Sequence, residues 1–131
     1  MPKAVPISIQ NALENVKFLG NRTPETTIDE ARDAFTQISE YRDGAIYLGH
    51  YAGTSAWERH SNGDEIVFVI EGETTLVLLI DDNELPNPLG KGELLVVPQN
   101  IWHRFITPQG VKIMAVTPQP TDHSVGYPES D

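Results

Sequence analysis

The chain has no cysteine, which removes both a disulfide framework and any thiolate metal site. Any metal would have to rest on histidine and carboxylate, and redox arguments leave the compartment open. Long apolar runs are also missing. No stretch approaches the ~20 apolar residues that span a bilayer, and Met1-Pro2-Lys3-Ala4-Val5-Pro6 lacks the unbroken apolar core of a secretory signal. A soluble, cytoplasmic protein with no membrane partner is the expectation. Basic residues are scarce, 9 against 19 acidic, for a formal charge of −10. Nucleic acid and anionic lipid repel such a chain, so neither is expected as a partner. The acidic residues are spread along the sequence, as solubility requires. Only Glu58 and Glu65 lie inside a strongly patterned apolar region.

At 131 residues the chain fits one domain with a real core. Its most informative segment runs from Trp57 to Phe68. Asn62-Gly63 between strand-forming residues predicts a hairpin closed by a type I′ turn, whose two central residues need positive φ. In that register Ser61 pairs with Asp64, and His60 faces Glu65 with Cβ atoms roughly 4.5–5.5 Å apart. Glu58 precedes His60 by two positions and shares its side of the strand, about 6.5–7 Å away. One imidazole and two carboxylates therefore converge.

Elsewhere, Ile9, Ala12, Leu13 and Val16 follow helical spacing within Ser8 to Leu19, which predicts a short N-terminal helix. Gly20 to Ile28 reads as a surface loop. Ala34 to Tyr41 reads as a strand paired through Asp43-Gly44 with the run after it, although a helix from Asp29 also fits the pattern. Glu65 to Ile70 looks buried on both faces and ends at Glu71-Gly72. Thr74 to Ile80 forms another strand, Asp81 to Pro88 a polar connection, and the runs at 93–98, 101–106 and 111–116 further strands. Eight to ten short strands indicate a sandwich or barrel. The single domain divides into an N-terminal arm 1–33, a barrel core 34–117 and an extended tail 118–131.

Between Ala45 and Thr117 the chain resembles the cupin family, whose members are double-stranded β-helix barrels related to jelly rolls. The first cupin motif runs Gly, a gap, His-x-His, three or four residues, Glu, six residues, Gly. This chain has Gly53, Glu58-x-His60, four residues, Glu65, six residues and Gly72, with Glu58 in place of the first His. The second motif runs Gly, five residues, Pro-x-Gly, two residues, His, three residues, Asn. Here it reads Gly92, five residues, Pro98-x-Asn100, two residues, His103, three residues and Thr107. Asn100 in the Gly position still tolerates the left-handed conformation such a turn needs. The resemblance implies an all-β cupin barrel with a short N-terminal helix, in which Glu58, His60, Glu65 and His103 hold one divalent metal ion. The Trp57-Glu58-Arg59-His60 run with Gly63-Asp64-Glu65 also resembles a subgroup of small, uncharacterised cupins.

Imidazole and carboxylate ligands favour Mn²⁺ or Fe²⁺, with Zn²⁺ or Ni²⁺ as alternatives set by availability. A second arrangement keeps His60, Glu65 and His103 as a two-His, one-carboxylate triad and frees Glu58 as a catalytic general base. A third has no metal, the carboxylates and imidazoles satisfying one another. Parity with the ligands makes Tyr47, Val67, Val69, Ile101 and Phe105 candidates for a substrate pocket. Trp57, Arg59, Trp102 and Arg104 fall on the opposite face, while His50 and His123 carry no site role. The expected function is a metal-dependent enzyme, of dioxygenase, isomerase or lyase type, acting on a small oxygen-bearing molecule. The alternative is a non-enzymatic cupin that binds a small ligand, with or without metal. The apolar outer face of Ile66, Phe68 and Ile70, together with the N-terminal arm, predicts a homodimer. Light scattering that finds only monomer at micromolar concentration would count against it.

Overall fold

In the computed structural model, residues 4–128 are described. Two long, bent strands form the spine: β5 (Glu65–Ile80) and β8 (His103–Pro118), antiparallel neighbours over most of their length. Both bend at glycines with positive φ, Gly72 (83°) and Gly110 (112°). A Cβ on Gly72 would stand 2.4 Å from the Gly110 carbonyl oxygen, so the two backbones meet only because that atom is absent. The first half of β5 also pairs with β7 (Leu94–Val97) and the second half with β6 (Asn83–Gly90). On its other side β8 pairs with β3 (Gly44–Thr54), which carries β2 (Phe35–Tyr41). The inner faces enclose Tyr51, Val67, Val69, Leu76, Leu78, Leu89, Val97, Phe105, Val111 and Ile113. No described helix is long and apolar enough to cross a membrane.

The expected N-terminal helix is α1 (Ile9–Leu13), shorter than its apolar spacing suggests, with Ser8 as N-cap. None of its residues is buried, so no packing rewards a further turn. Strand β1 (Leu19–Arg22), parallel to β3, takes the last residue of the stretch expected as helical and the first three of the stretch expected as a loop. Its four residues carry no alternation, and pairing with β3 alone makes the strand. Phe35–Tyr41 is a strand, and the helix before it stops short, as α2 (Ile28–Ala31) followed by a 3-10 turn at Arg32–Ala34; Thr27 and Glu30 cap α2 with a reciprocal capping box. The turn after β2 falls at Arg42-Asp43, with Arg42 at φ 51°, one residue before the expected place.

The largest correction concerns Asn62-Gly63. Neither residue has positive φ, and β4 (Trp57–His60) does not pair with β5. It pairs with β8 and with β9 (Thr121–Ser124), a strand inside the expected tail. The loop after β4 crosses from one wall of the barrel to the other. Tertiary hydrogen bonds hold it there: Gln99 N to Asp64 Oδ1 (2.8 Å), Gln99 Nε2 to the Ser61 carbonyl (2.8 Å), and Asn100 N to the His60 carbonyl (2.9 Å). Left-handed geometry falls on Asn100 instead, at φ 66°.

Two further expectations change. The polar connection after Ile80 is a tight turn at Asp81-Asp82, both with positive φ, followed by β6. Pro86 and Pro88 are tolerated there because β6 is an edge strand paired only with β5. The outer face of β5 is not closed either. Ile66 is 38% exposed and lies between Val96 and Val116, while Phe68 lies between Leu94 and Met114.

Candidate metal centre

Three walls of the barrel deliver the central residues. Strand β4 brings His60, the first residue of β5 is Glu65, and β8 opens with His103, all turned inward and buried. Their donor atoms lie within 4.8 Å of one another. Glu65 Oε1 is 3.1 Å from His103 Nε2 and 3.3 Å from His60 Nε2. Neighbouring ligands at right angles on one divalent ion, with bonds of about 2.1 Å, stand about 3.0 Å apart. The two distances from Glu65 Oε1 to the histidine nitrogens are close to that spacing.

Hydrogen bonds behind the donors fix their orientation. The Ile101 carbonyl can only accept, so His103 Nδ1–H donates to it at 2.9 Å, which leaves Nε2 facing Glu65 Oε1 and presenting a lone pair inward when the ring is neutral. On His60 the same holds through two bonds. Thr121 Oγ1 donates to Gln119 Oε1 at 3.2 Å and therefore accepts from His60 Nδ1–H at 3.0 Å. His60 Nε2 is left buried with no hydrogen-bond partner. Glu65 Oε2 accepts from Thr117 Oγ1 at 2.7 Å, which aims Oε1 at both rings. Lone pairs at these separations repel unless a proton or a cation lies between them.

The electrostatics agree. Burial pushes the Glu65 carboxyl up, but the His103 and His60 rings outweigh it and hold the group at about 2. Burial pushes His103 down, yet the Glu65 hydrogen bond and charge, with Glu58 behind them, leave it raised above its ordinary value. Without metal, the two partners stabilise the fold over different ranges. Lowered Glu65 stabilises it above pH 4.5 and loses that contribution as pH falls toward 2. Raised His103 stabilises it below pH 6.5 and loses that contribution as pH climbs through its folded value. Relative to Glu65→Gln, chelator-treated protein is thus expected to gain most stability between pH 4.5 and 6.5. Urea unfolding midpoints from about pH 3 to 9 check this, and a difference that keeps growing toward alkaline pH would refute it.

The structure does not bring Glu58 into this group. Glu58 faces inward opposite His103, but its Oε1 lies 3.6 Å from Arg22 Nη2, and its carboxylate is outside the three-donor cluster. Glu58 and Glu65 instead line a cavity of about 510 Å³. Tyr47 and Phe105 line it as well, with Phe35, Ile113 and Ala115, and Gln119, Thr121 and His123 stand among its polar residues. Val67 and Val69 are fully buried in the packed core, and Ile101 packs against that core. Parity placed these three inside correctly but carries no information on depth along the barrel. Trp57 and Trp102 lie on the outer side beneath the guanidinium groups of Arg104 and Arg59, at 4.7 and 4.6 Å. His50 packs on Phe18, away from the centre.

Sequence reasoning missed Arg22, Thr117, Gln119 and Thr121. Thr117 shares parity with His103 along β8, a usable signal. For Arg22, Gln119 and Thr121 none existed, because each arrives on a segment whose pairing is wholly non-local.

The cupin domain family matches residues 48–117, more than half of the chain. The uncharacterized protein YdbB of Bacillus subtilis (strain 168) is 29% identical over 93 residues, covering 70% of this chain and 74% of its own. A solved cupin-2 domain containing protein from Shewanella frigidimarina is 27% identical with a TM-score of 0.55, covering 65% of this chain and 79% of its own. Protein NMB1881 from Neisseria meningitidis superposes with a TM-score of 0.61 at 20% identity, covering 92% of this chain and 100% of its own.

Proposed function

The chain belongs to the cupin family, and we propose that it is a metal-dependent enzyme holding one divalent ion on His60, Glu65 and His103. Its substrate is a small oxygen-bearing organic molecule seated in the adjoining cavity. The observation that carries this reading is the buried, unpartnered Nε2 of His60, aimed with His103 Nε2 at one carboxylate oxygen. A buried polar atom without a partner costs about 1–3 kcal/mol, and a shared cation removes that cost. Two nitrogens and one anionic oxygen suit Mn²⁺ or Fe²⁺, with Zn²⁺ or Ni²⁺ as competitors.

When bound, such an ion supplies Lewis acidity to a ligand oxygen at its open positions. The chain's own residues do the rest. Phe35, Phe105 and Ile113 exclude water around the ligand's carbon skeleton, while Thr121 and Ile101 keep both rings in the ligating tautomer. Glu58, part-exposed on the cavity wall, can take or return a proton at its carboxylate. A second reading is a ligand-binding cupin without turnover, in which the 3.6 Å charge contact between Glu58 and Arg22 serves only to shape the cavity wall.

Metal analysis of untagged protein, prepared without chelator and then reconstituted, tests the proposal. About one equivalent of Mn²⁺ or Fe²⁺ per chain is expected. Oxygen uptake or product formation should follow with small acids, phenols or sugars. No retained metal refutes the metal centre, and bound metal without turnover across that panel favours the second reading.

A further inference from the structure

Arg22 is a cation of the cavity wall that stands 3.6 Å from Glu58, the register partner of His103, and its placement is constrained. Strand β1 aligns Arg22 with Gly53 of β3. The guanidinium carbon sits 4.7 Å from the Phe35 ring centre and 4.6 Å from that of Tyr51, with the side chain only 17% exposed. The two rings fix the plane of the fork and strip it of water. Its carboxylate neighbour Glu58 approaches no closer than 3.6 Å, beyond hydrogen-bond range. Arg32 also lines the cavity, but its head is exposed and paired with Asp29.

We infer that Arg22 is the recognition residue for a substrate carboxylate, so that the cavity takes a small monocarboxylic acid with an apolar body. This inference rests on the metal-centre reading above. With a divalent ion in place and both histidines neutral, the ion and Arg22 outweigh Glu58 and Glu65 by one positive charge. A monoanion balances that excess, whereas a phosphate monoester, approaching two negative charges, overshoots it. A planar guanidinium fork on a cavity wall can match a carboxylate through two parallel N–H···O bonds. The apolar body then meets Phe35, Phe105 and Ile113, and Glu58 opposite His103 places the carboxylate one strand position from the donors.

Calorimetric titration of the full chain with benzoate and with benzamide, its neutral counterpart, tests this in Mn²⁺-loaded and chelator-treated protein. Benzoate is expected to bind at least about tenfold tighter than benzamide in the loaded protein, the scale of one charge-assisted hydrogen bond. Arg22→Gln should bring that ratio close to one without changing Mn²⁺ stoichiometry. Glu58→Gln, which removes the competing carboxylate, should tighten benzoate several-fold. A ratio that survives Arg22→Gln places the carboxylate elsewhere, on the ion itself included, and overturns the inference while leaving the metal centre intact. If Arg22→Gln loses its circular dichroism, Glu58→Gln decides, since unchanged or weaker benzoate binding is equally fatal. If the protein takes up no Mn²⁺, the metal reading fails by that measurement. The benzoate preference of the chelator-treated protein and its loss in Arg22→Gln then decide the role of Arg22.

Discussion

Glu65→Gln is expected to leave a folded protein whose Mn²⁺ affinity is at least about a hundredfold weaker, because partners outside the ligand sphere alone are worth about 10- to 100-fold. Glutamine keeps the volume of a side chain that is 5% exposed. Its carbonyl oxygen still accepts from Thr117, and its amide can donate toward Nε2 of His103 and His60, so each buried polar atom keeps a partner. The anionic charge is what disappears. His103 also loses the charge that raises it, so the stability advantage between pH 4.5 and 6.5 should vanish in chelator-treated protein. Glu65→Ala offers the contrast. It strands Thr117 and His103 in the interior, and a destabilisation of about 3–5 kcal/mol is expected. Metal stoichiometry by mass spectrometry and urea unfolding separate the two variants. Wild-type Mn²⁺ affinity in Glu65→Gln would show that this carboxylate is not a ligand.

Gly53→Ala is expected to remove about 2–4 kcal/mol, seen as a fall in Tm of roughly 6–15 °C. Gly53 sits at φ 117°, where a side chain is strained, and an added Cβ would lie 2.1 Å from the Arg22 carbonyl oxygen and 2.7 Å from its nitrogen. Neither obstacle is a flexible side chain, so β1 must move off β3. Arg22 then leaves its place between Phe35 and Tyr51. Strands β4, β5 and β8, which carry the donors, do not pair with β1, so Mn²⁺ stoichiometry should hold while the benzoate preference falls. A Tm within a degree or two of wild type, with that preference intact, would show that the Gly53 contact does not position the arm.

Much of the centre was legible from strand alternation. Glu58 and His60 point inward, and Trp57 and Arg59 outward, because successive residues of any strand face opposite ways. The spacings from His60 to Glu65 and from Pro98 to His103 likewise survive into the barrel, with Asn100 taking the left-handed turn. The hairpin argument reached a true proximity by a false route. His60 and Glu65 meet across the barrel rather than across a ladder. Asp64 and Gln99 supply tertiary hydrogen bonds that override the local preference of Asn62-Gly63 for a tight turn.

By itself, then, the sequence determined the β class, the inward parity of Glu58, His60, Glu65 and His103, and an acidic chain that must bind any metal through nitrogen and oxygen. Tertiary structure alone decided that Glu58 leans to Arg22, that Val67 and Val69 lie in the packed core, and that β1 and β9 exist at all. Alternation belongs to a strand's own residues and can be read along the chain. Which strand lies beside it, and how deep a side chain sits, depend on contacts between residues far apart in sequence, whose energies no local pattern records.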